Sequence, residues 1–258
     1  MAQVEVRIDG HLMCVTLNRH EARNALSAQM CDDITSALNN ADEQARDTAA
    51  IRAVLIRSVG TTFCAGADLG STTQSDDAAE VTQSDFHDSL TRMLESVVSC
   101  GVPVIADIQG PAVGAGMQLA LNCDLRLVHH AAWFKVPAAS LGFALDGWTI
   151  NRAQCLLGGG WARSIFLGGA TLSAPQAVAT GFALEIADSD SAIAYAHRIA
   201  GMAPLALRQL KSALNSADFE YALVGESRDL FAQCWASTDA REGQLARKQK
   251  RDPVFTGR

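Results

Sequence analysis

Two short stretches rich in glycine and alanine carry the chemistry that this sequence suggests. The first is residues 63–69, FCAGADL, and the second is residues 110–123, GPAVGAGMQLALNC. Each follows an apolar run, residues 53–56 and 103–108, and a helical pattern begins after Gly116. A turn from a strand into a helix leaves backbone N–H groups without partners, and small residues let a ligand approach them closely. Two such turns facing each other would place a pair of donors around one anionic oxygen.

Each turn taken alone is also compatible with two different roles. A phosphate cradle is weakly supported, because Gly114-Ala115-Gly116 lacks the third glycine of a dinucleotide fingerprint and no Gly-Lys-Ser/Thr follows. A tight bend that only lets a helix pack closely on a sheet would have the same composition. The order and spacing of the pair are more specific than either turn.

The pair resembles the signature of the enoyl-CoA hydratase/isomerase (crotonase) superfamily, and the likeness extends over the whole chain. Further segments that resemble the family are residues 23–26 (RNAL), 103–106 (PVIA), 242–243 (EG) and 250–255 (KRDPVF). The closest likeness within the superfamily is to a mycobacterial enoyl-CoA-hydratase-like subgroup with altered active-site acids. The resemblance implies an α/β fold built as a spiral of ββα units, with a helical C-terminal region that forms trimers or dimers of trimers.

The hydropathy pattern agrees with an α/β core that is followed by helices. Residues 4–8 and 12–17 alternate around Asp9-Gly10 and predict a hairpin, and Ser27 is a suitable N-cap for the helix that follows. Residues 70–84 are polar and predict a loop beside the site, with a helix over 85–100. A strand is predicted at 125–128, followed by a short apolar stretch at 133–136. A break is predicted at 158–160 and a capping box at 173–176, with helices from there to about residue 250. We expect a core over residues 1–200 and a helical region over 201–258.

The resemblance also implies a role for individual residues. The backbone N–H groups of Ala67 and Ala115 would hold the thioester carbonyl of an acyl-CoA, as an oxyanion hole in which Gly114 belongs to the second turn. Asp68 would fix the first turn rather than react, since Asp side chains commonly bond nearby backbone. The residues expected to line the CoA are Ala25, Ala65 and Leu69.

Hydration of an enoyl thioester also needs an acid and a base that hold one water. The family's two glutamates fall at positions where this chain has Gln118 and Ala138. A glutamine can bond a water but cannot take its proton, and an alanine can do neither. By the family's own pattern, the hydratase acid and base are absent.

Asp146 is the carboxylate that could compensate, because some family members keep a catalytic aspartate at this place. Its apolar neighbours Phe143, Leu145 and Trp148 could raise its pKa towards the range of a base. Asp146 is an equally good N-cap for the next helix, and both roles stay open. His87 could border the pocket, but a position on the surface of the helix over 85–100 is expected. The other candidates are Lys248, Lys250 and Arg251 for the CoA phosphates, and Phe134, Phe143 and Trp148 for an acyl tunnel or the core.

Composition narrows the classes of function. The formal charge of −7 argues against a general nucleic-acid or membrane-surface binder, and residues 1–20 lack the apolar core of a signal peptide. Seven cysteines are scattered without Cys-x-x-Cys, which fits a reducing cytoplasm, and we expect neither a metal nor a cofactor other than acyl-CoA itself. Two functions therefore compete: an acyl-CoA enzyme that uses Asp146, and a non-catalytic acyl-CoA carrier that delivers acyl chains to a partner protein.

Overall fold

The computed structural model describes residues 2–68, 76–216 and 235–254, without the side chains of residues 76–84 and 216. The strands of this part are β1 Val4–Asp9, β2 Leu12–Leu17, β3 Ala53–Ser58, β4 Val104–Ile108, β5 Ala112–Val113, β6 Leu125–Val128, β7 Trp133–Lys135, β8 Leu172–Ser173 and β9 Glu185–Ile186. The helices are α1 Ala28–Asp47, α2 Asp76–Ser99, α3 Ala115–Asn122, α4 Gly147–Phe166, α5 Ala174–Ala179, α6 Ser189–Ala200, α7 Pro204–Ser216 and α8 Thr238–Gln249.

Six of the described strands form one sheet in the order β1-β2-β3-β4-β6-β9. β1 and β2 are antiparallel and are joined through Gly10, which has a φ of 58°, so the predicted hairpin is confirmed. Within this sheet, the strands from β2 to β9 pair in parallel. Parallel strands carry their connecting helices on the faces of the sheet, which explains why every residue of β4 is buried. The predicted α/β class is confirmed.

Successive side chains of β3 point to opposite faces of the sheet and enter two separate cores. Val54 and Ile56 join the core beneath α1 and α2, and Ala53 and Leu55 pack with α6 on the other face. α1 begins where the sequence predicts, because the Ser27 hydroxyl accepts a hydrogen bond of 3.2 Å from the Met30 N–H.

Three elements differ from the sequence-based expectation. The loop predicted over residues 70–84 is wrong from residue 76 onward, because α2 already begins at Asp76, and its remaining part lies outside the described residues. The break predicted after Leu157 is a kink at Gly158, with φ 75° and ψ 152°, after which α4 continues to Phe166. The stretch predicted to be helical after residue 173 also contains the short strand β9, which pairs with β6.

Helix α7 is attached to the core by buried polar contacts. The Lys211 ammonium on α7 is held by Asp124 Oδ2 at 2.8 Å and by the carbonyl oxygens of Val97 and Val102 at 2.9 and 3.0 Å. The boundary that we place at residue 200 stays a prediction. In the part of the chain that the structure describes, no helix combines the length and the apolar character needed to cross a membrane.

Candidate active site

The first glycine turn is held between two other segments of the chain. On one side, the Leu26 N–H donates to Gly66 O and the Asp68 N–H donates to Leu26 O, both at 2.8 Å. On the other side, the Val113 N–H donates to Cys64 O at 2.9 Å. The first turn therefore lies between the RNAL segment and the second turn.

Glycine is required where the two turns touch. A Cβ at Gly66, which has a φ of 109°, would lie 3.1 Å from the carbonyl oxygen of Val113 and 3.9 Å from the amide nitrogen of Ala115. A Cβ at Gly114, which has a φ of 54°, would lie 3.8 Å from Gly66 Cα. Backbone thus packs directly on backbone, and the amides that follow each glycine lie close together in space.

The amides of Ala67 and Ala115 are the two donors that the sequence predicts to be available to a ligand. Gly66 and Asp68 make the bonds to Leu26, so the Ala67 N–H, which lies between them, points away from Leu26. Ala115 is the first residue of α3, where an N–H has no acceptor within the helix. Among the backbone hydrogen bonds of the described residues, neither N–H has an acceptor.

Both alanines line a cavity of about 720 Å³ whose wall is mainly apolar. Five large apolar side chains of α2, of the 137–145 segment and of the C-terminal region contribute to this wall: Phe86, Leu90, Leu141, Phe143 and Trp235. The Phe143 and Trp235 rings are stacked, with centroids 4.9 Å apart. A cavity of this size, apolar with a few polar groups at one place, is typical of a small-molecule site.

Most of the residues predicted for the site lie in the cavity wall. Those are Ala65, Ala67, Gly114, Ala115, Gln118, Ala138 and Asp146. Ala25 lies outside the lining and beside the first turn, where its carbonyl accepts from Arg19 Nη1 at 3.2 Å. Leu69 lies outside the described residues, and the role predicted for it stays a prediction.

Asp68 forms an ion pair with Arg19 at 2.6 Å, and both side chains are largely buried. The same Arg19 Nη1 donates to Ala25 O. Asn24 strengthens this junction, because its buried amide donates to the carbonyls of Val59 and Thr62 at 2.9 and 2.8 Å. The structural role expected for Asp68 fits this contact. Sequence reasoning missed Arg19, which is 49 residues away and carries no local signal.

Asp146 both caps a helix and lines the cavity. Its Oδ1 accepts from the Thr149 N–H at 2.8 Å, which is the N-cap bond of α4. Its Oδ2 accepts from the Thr149 hydroxyl at 2.7 Å and from Gln118 Nε2 at 3.3 Å. Gln118 Nε2 also donates to Thr149 Oγ1 at 3.0 Å. The carboxylate is therefore held in one orientation at the edge of the cavity.

His87 differs from the expectation of a surface position. The side chain is half-buried, lines the cavity and lies 5.6 Å from the Trp235 ring, centroid to centroid. The prediction failed because this part of the wall comes from a segment almost 150 residues further along the chain. Of the aromatic residues proposed for the tunnel or the core, Phe143 lines the cavity. Phe134 packs on Phe182 in the core, and Trp148 Nε1 donates to Asn122 at 2.6 Å.

One basic residue near the C-terminus lines the cavity although the sequence did not identify it as a candidate. Arg247 on α8 lines the cavity, whereas Lys248 and Lys250 are exposed and are not part of the described lining. Arg251 makes two bonds to the Glu242 carboxylate, at 2.5 and 2.9 Å. Arg251 holds the pKa of Glu242 down at about 2, with further help from the Val254 N–H. Arg251 is therefore engaged within the chain.

Cys64, beneath the first turn, is a packing residue. Burial raises the pKa of its thiol to about 12, so it carries no thiolate at neutral pH. Its sulfur accepts from the Gly66 N–H at 3.5 Å and lies against Gly116 at the start of α3. Its burial and raised pKa argue against a nucleophilic role, and its contacts orient the peptide that precedes Ala67.

Known proteins show the same sequence pattern and fold. The family model described as enoyl-CoA hydratase/isomerase matches residues 7–258. A protein of Mycobacterium tuberculosis named probable enoyl-CoA hydratase echA6 is 37% identical over 246 residues, which cover 95% of this chain and 96% of that protein.

Two solved structures have the same fold over nearly the whole chain. An enoyl-CoA hydratase/isomerase from Pseudoalteromonas atlantica superimposes with a TM-score of 0.82 at 24% identity, covering 99% of this chain and 100% of that one. Methylmalonyl-CoA decarboxylase in complex with 2-nitronate-propionyl-CoA has a TM-score of 0.86 at 21% identity, covering 100% and 99%. The crotonase-type fold expected from the sequence is confirmed, and the chain belongs to the enoyl-CoA hydratase/isomerase family.

Proposed function

We propose that this protein binds an acyl-CoA of fatty-acid or lipid metabolism and holds its thioester carbonyl between the N–H groups of Ala67 and Ala115. The observation that supports this most strongly is that both alanines line one cavity while the backbone of Gly66 packs on the segment that leads to Ala115. Two main-chain donors on one oxygen polarise a thioester, and each is worth about 10²–10³ in rate where enolate-like charge develops.

The side chains beside this pair do not support ordinary hydration. Gln118 and Ala138 line the cavity, and the resemblance implies that the family's hydratases carry glutamates at these two positions. Neither side chain can accept and return the proton of a water. We therefore expect enoyl-CoA to be bound and not hydrated at the rate of a hydratase. In this form the protein acts as a carrier that delivers acyl chains to a partner.

A second function, proton transfer by Asp146, is favoured by the position of its carboxylate in the cavity wall. A single base can move a proton between two carbons of an enoyl thioester, whereas hydration needs two groups on one water. Asp146 already accepts three hydrogen bonds, which occupy most of its lone pairs and favour the carrier.

Turnover and binding of crotonyl-CoA and longer enoyl-CoAs, measured on the wild type and on Asp146→Asn, separate these functions. Asparagine keeps the helix cap and removes the base, so the fold should be retained. The carrier predicts binding without hydration or double-bond migration in both proteins. A migration rate in the wild type that falls in Asp146→Asn would establish the enzyme instead. Lack of binding to any acyl-CoA would overturn both.

The assembly expected from the resemblance, a homotrimer or a dimer of trimers, belongs to the same proposal. It is supported by Leu205, Leu210 and Leu214 on α7, whose side chains are exposed in the single chain. Sedimentation of the full chain tests it, and a monomer at micromolar concentration would contradict it. A cytoplasmic setting is also part of the proposal, supported by the scattered free cysteines.

A further inference from the structure

A buried arginine lies at the C-terminal end of α3, the helix whose first residue is Ala115. Arg126 is on strand β6 and is only 4% exposed. Its guanidinium donates at 2.5 to 3.2 Å to four main-chain carbonyl groups, those of Ala120, Cys123, Asp124 and Phe182. The first two of these carbonyls close the last turn of α3, so the guanidinium and the Ala115 N–H are at opposite ends of one helix.

The charge of Arg126 is not neutralised by an acidic side chain. Among the described residues, all its hydrogen bonds go to carbonyl oxygens, and no carboxylate forms an ion pair with it. Asp124, two residues earlier, is paired with Lys211 Nζ at 2.8 Å. Burial lowers the pKa of Arg126 to about 10, so the side chain is still charged at neutral pH. A neutral donor would satisfy carbonyl groups without the cost of burying a charge, so this position supplies a charge as well as hydrogen bonds.

The charge is close enough to act on a ligand at the other end of the helix. Ala120 and Cys123 follow Ala115 by five and eight residues, which corresponds to about 7.5 and 12 Å along the helix axis. All eight residues of α3 are buried, so protein rather than water fills this distance. At the effective dielectric constant of a protein, a unit charge about 12 Å away changes the affinity for an anion by about 3- to 10-fold.

We infer that Arg126 is a positioning residue of the oxyanion hole, whose buried charge at the end of α3 favours negative charge on a ligand oxygen at the Ala115 N–H. This inference rests on the proposed function, because it takes an acyl oxygen to be held at Ala67 and Ala115. A thioester that develops enolate-like charge then gains more than a neutral one. A purely structural role for Arg126 would affect neutral and anionic ligands alike.

Two thioethers of CoA with nearly the same shape test this by titration calorimetry of the full chain at neutral pH: acetonyl-CoA, which is neutral at its ketone, and carboxymethyl-CoA, which carries a carboxylate there. The ratio of the two affinities cancels the contribution of the CoA part. In Arg126→Gln the ratio of anion to ketone affinity should fall by about 3- to 10-fold. Arg126→Lys also loses part of the hydrogen bonds but keeps the charge, so it should retain the wild-type ratio.

A second variant changes the charge at the same end of α3 in the opposite sense. Asp124→Asn removes a negative charge and keeps an oxygen for the Val104 N–H, which Asp124 Oδ2 binds at 2.7 Å. The ratio should rise in this variant, and it decides the inference if Arg126→Gln does not fold. Arg163→Gln removes an exposed cation from the last turn of α4 and is the matched control. It should keep the wild-type ratio, because water screens an exposed charge.

A ratio that is the same in the wild type, Arg126→Gln and Asp124→Asn would overturn this inference alone. An equal fall in Arg126→Gln and Arg126→Lys would overturn it as well, since the effect would then follow the hydrogen bonds and not the charge. Failure of acetyl-CoA and of both thioethers to bind the wild type would overturn the proposed function.

Discussion

The two sides of the cavity differ in what part of the chain forms them. One side is the pair of glycine turns, where the groups proposed to meet the ligand belong to the main chain and where Gly66 and Gly114 are needed for close approach. The other side is the edge formed by Gln118, Ala138 and Asp146, where the side chains decide the chemistry. A main-chain donor persists whatever side chain it carries, so the means of binding can be kept while the means of hydration is lost.

Under the proposed function, this difference explains how a chain of the enoyl-CoA hydratase/isomerase family could bind an acyl-CoA without the two glutamates that the resemblance implies for hydration. The packing of the turns leaves no room for a side chain at Gly116, because a Cβ there would lie 2.5 Å from Cys64 O and 2.9 Å from Cys64 Sγ. The edge does not require glycine, and Gln118 and Ala138 are accommodated there without loss of the fold.

The largest effect is expected from restoring the acids at the edge. In Gln118→Glu with Ala138→Glu, the new carboxylate at position 118 would lie beside Asp146, so the design also includes Asp146→Asn to remove that repulsion. Hydration of crotonyl-CoA should rise by about 10²–10⁴-fold, the range of a positioned acid and base. A spectrophotometric assay that follows the loss of the enoyl thioester's ultraviolet absorption measures it.

The control for this design is Asp146→Asn alone, which should give no hydration. A triple variant that folds, binds acyl-CoA and still shows no gain would contradict the claim that the absent acids cause the lack of hydration.

A smaller effect, on stability and binding together, is expected from Gly116→Ala. The added methyl group overlaps Cys64 and should lower the free energy of unfolding by about 1–3 kcal/mol while separating the two turns. Gly160→Ala is the matched control, because a Cβ there meets nothing within 4 Å and Gly160 is within α4. It should keep or raise stability by up to about 1 kcal/mol. Urea unfolding and acyl-CoA binding of both variants measure this, and equal behaviour would refute the tight packing of the turns.

The smallest effect concerns Glu242, which lies outside both sides of the cavity and anchors Arg251 and Val254 to α8. Arg251 lowers the pKa of Glu242 from 4.5 to about 2, so the ionised form is the one that the fold stabilises. The stabilisation is present above pH 4.5 and is lost as the pH falls from there towards 2. The difference in melting temperature between the wild type and Glu242→Gln should follow that curve and shrink in salt. A difference that grows as the pH falls through this range would have the wrong sign.

The sequence predicted the glycine turns, because the information is local: small residues between an apolar strand and a helix. It also predicted the hairpin at Gly10 and the caps at Ser27 and Asp146 for the same reason. The sequence does not predict the start of α2, because the low apolar content of residues 70–84 is typical of a loop. Two acidic residues at 76–77 followed by alanines are good helix starters, since they complement the helix dipole.

Contacts between distant segments could not be predicted from the sequence. Arg19 and Asp68, Gln118 and Asp146, and His87 and Trp235 meet only because the fold brings separate turns and helices to one cavity. The role of Asp146 shows the same limit. Its sequence context allowed a cap or a cavity carboxylate, and the structure shows one side chain in both positions.

The central claim is that the amides of Ala67 and Ala115 meet on one acyl oxygen, and isotope-edited infrared spectroscopy of a bound acyl-CoA with ¹³C in the thioester carbonyl tests it most directly. Proline is tolerated at the first position of a helix, so Ala115→Pro removes one donor and retains α3. We predict that the carbonyl band of the bound ligand shifts to lower frequency in the wild type and that much of this shift is lost in Ala115→Pro. A bound ligand whose band stays at the frequency seen in water, or is the same in both proteins, would contradict the claim.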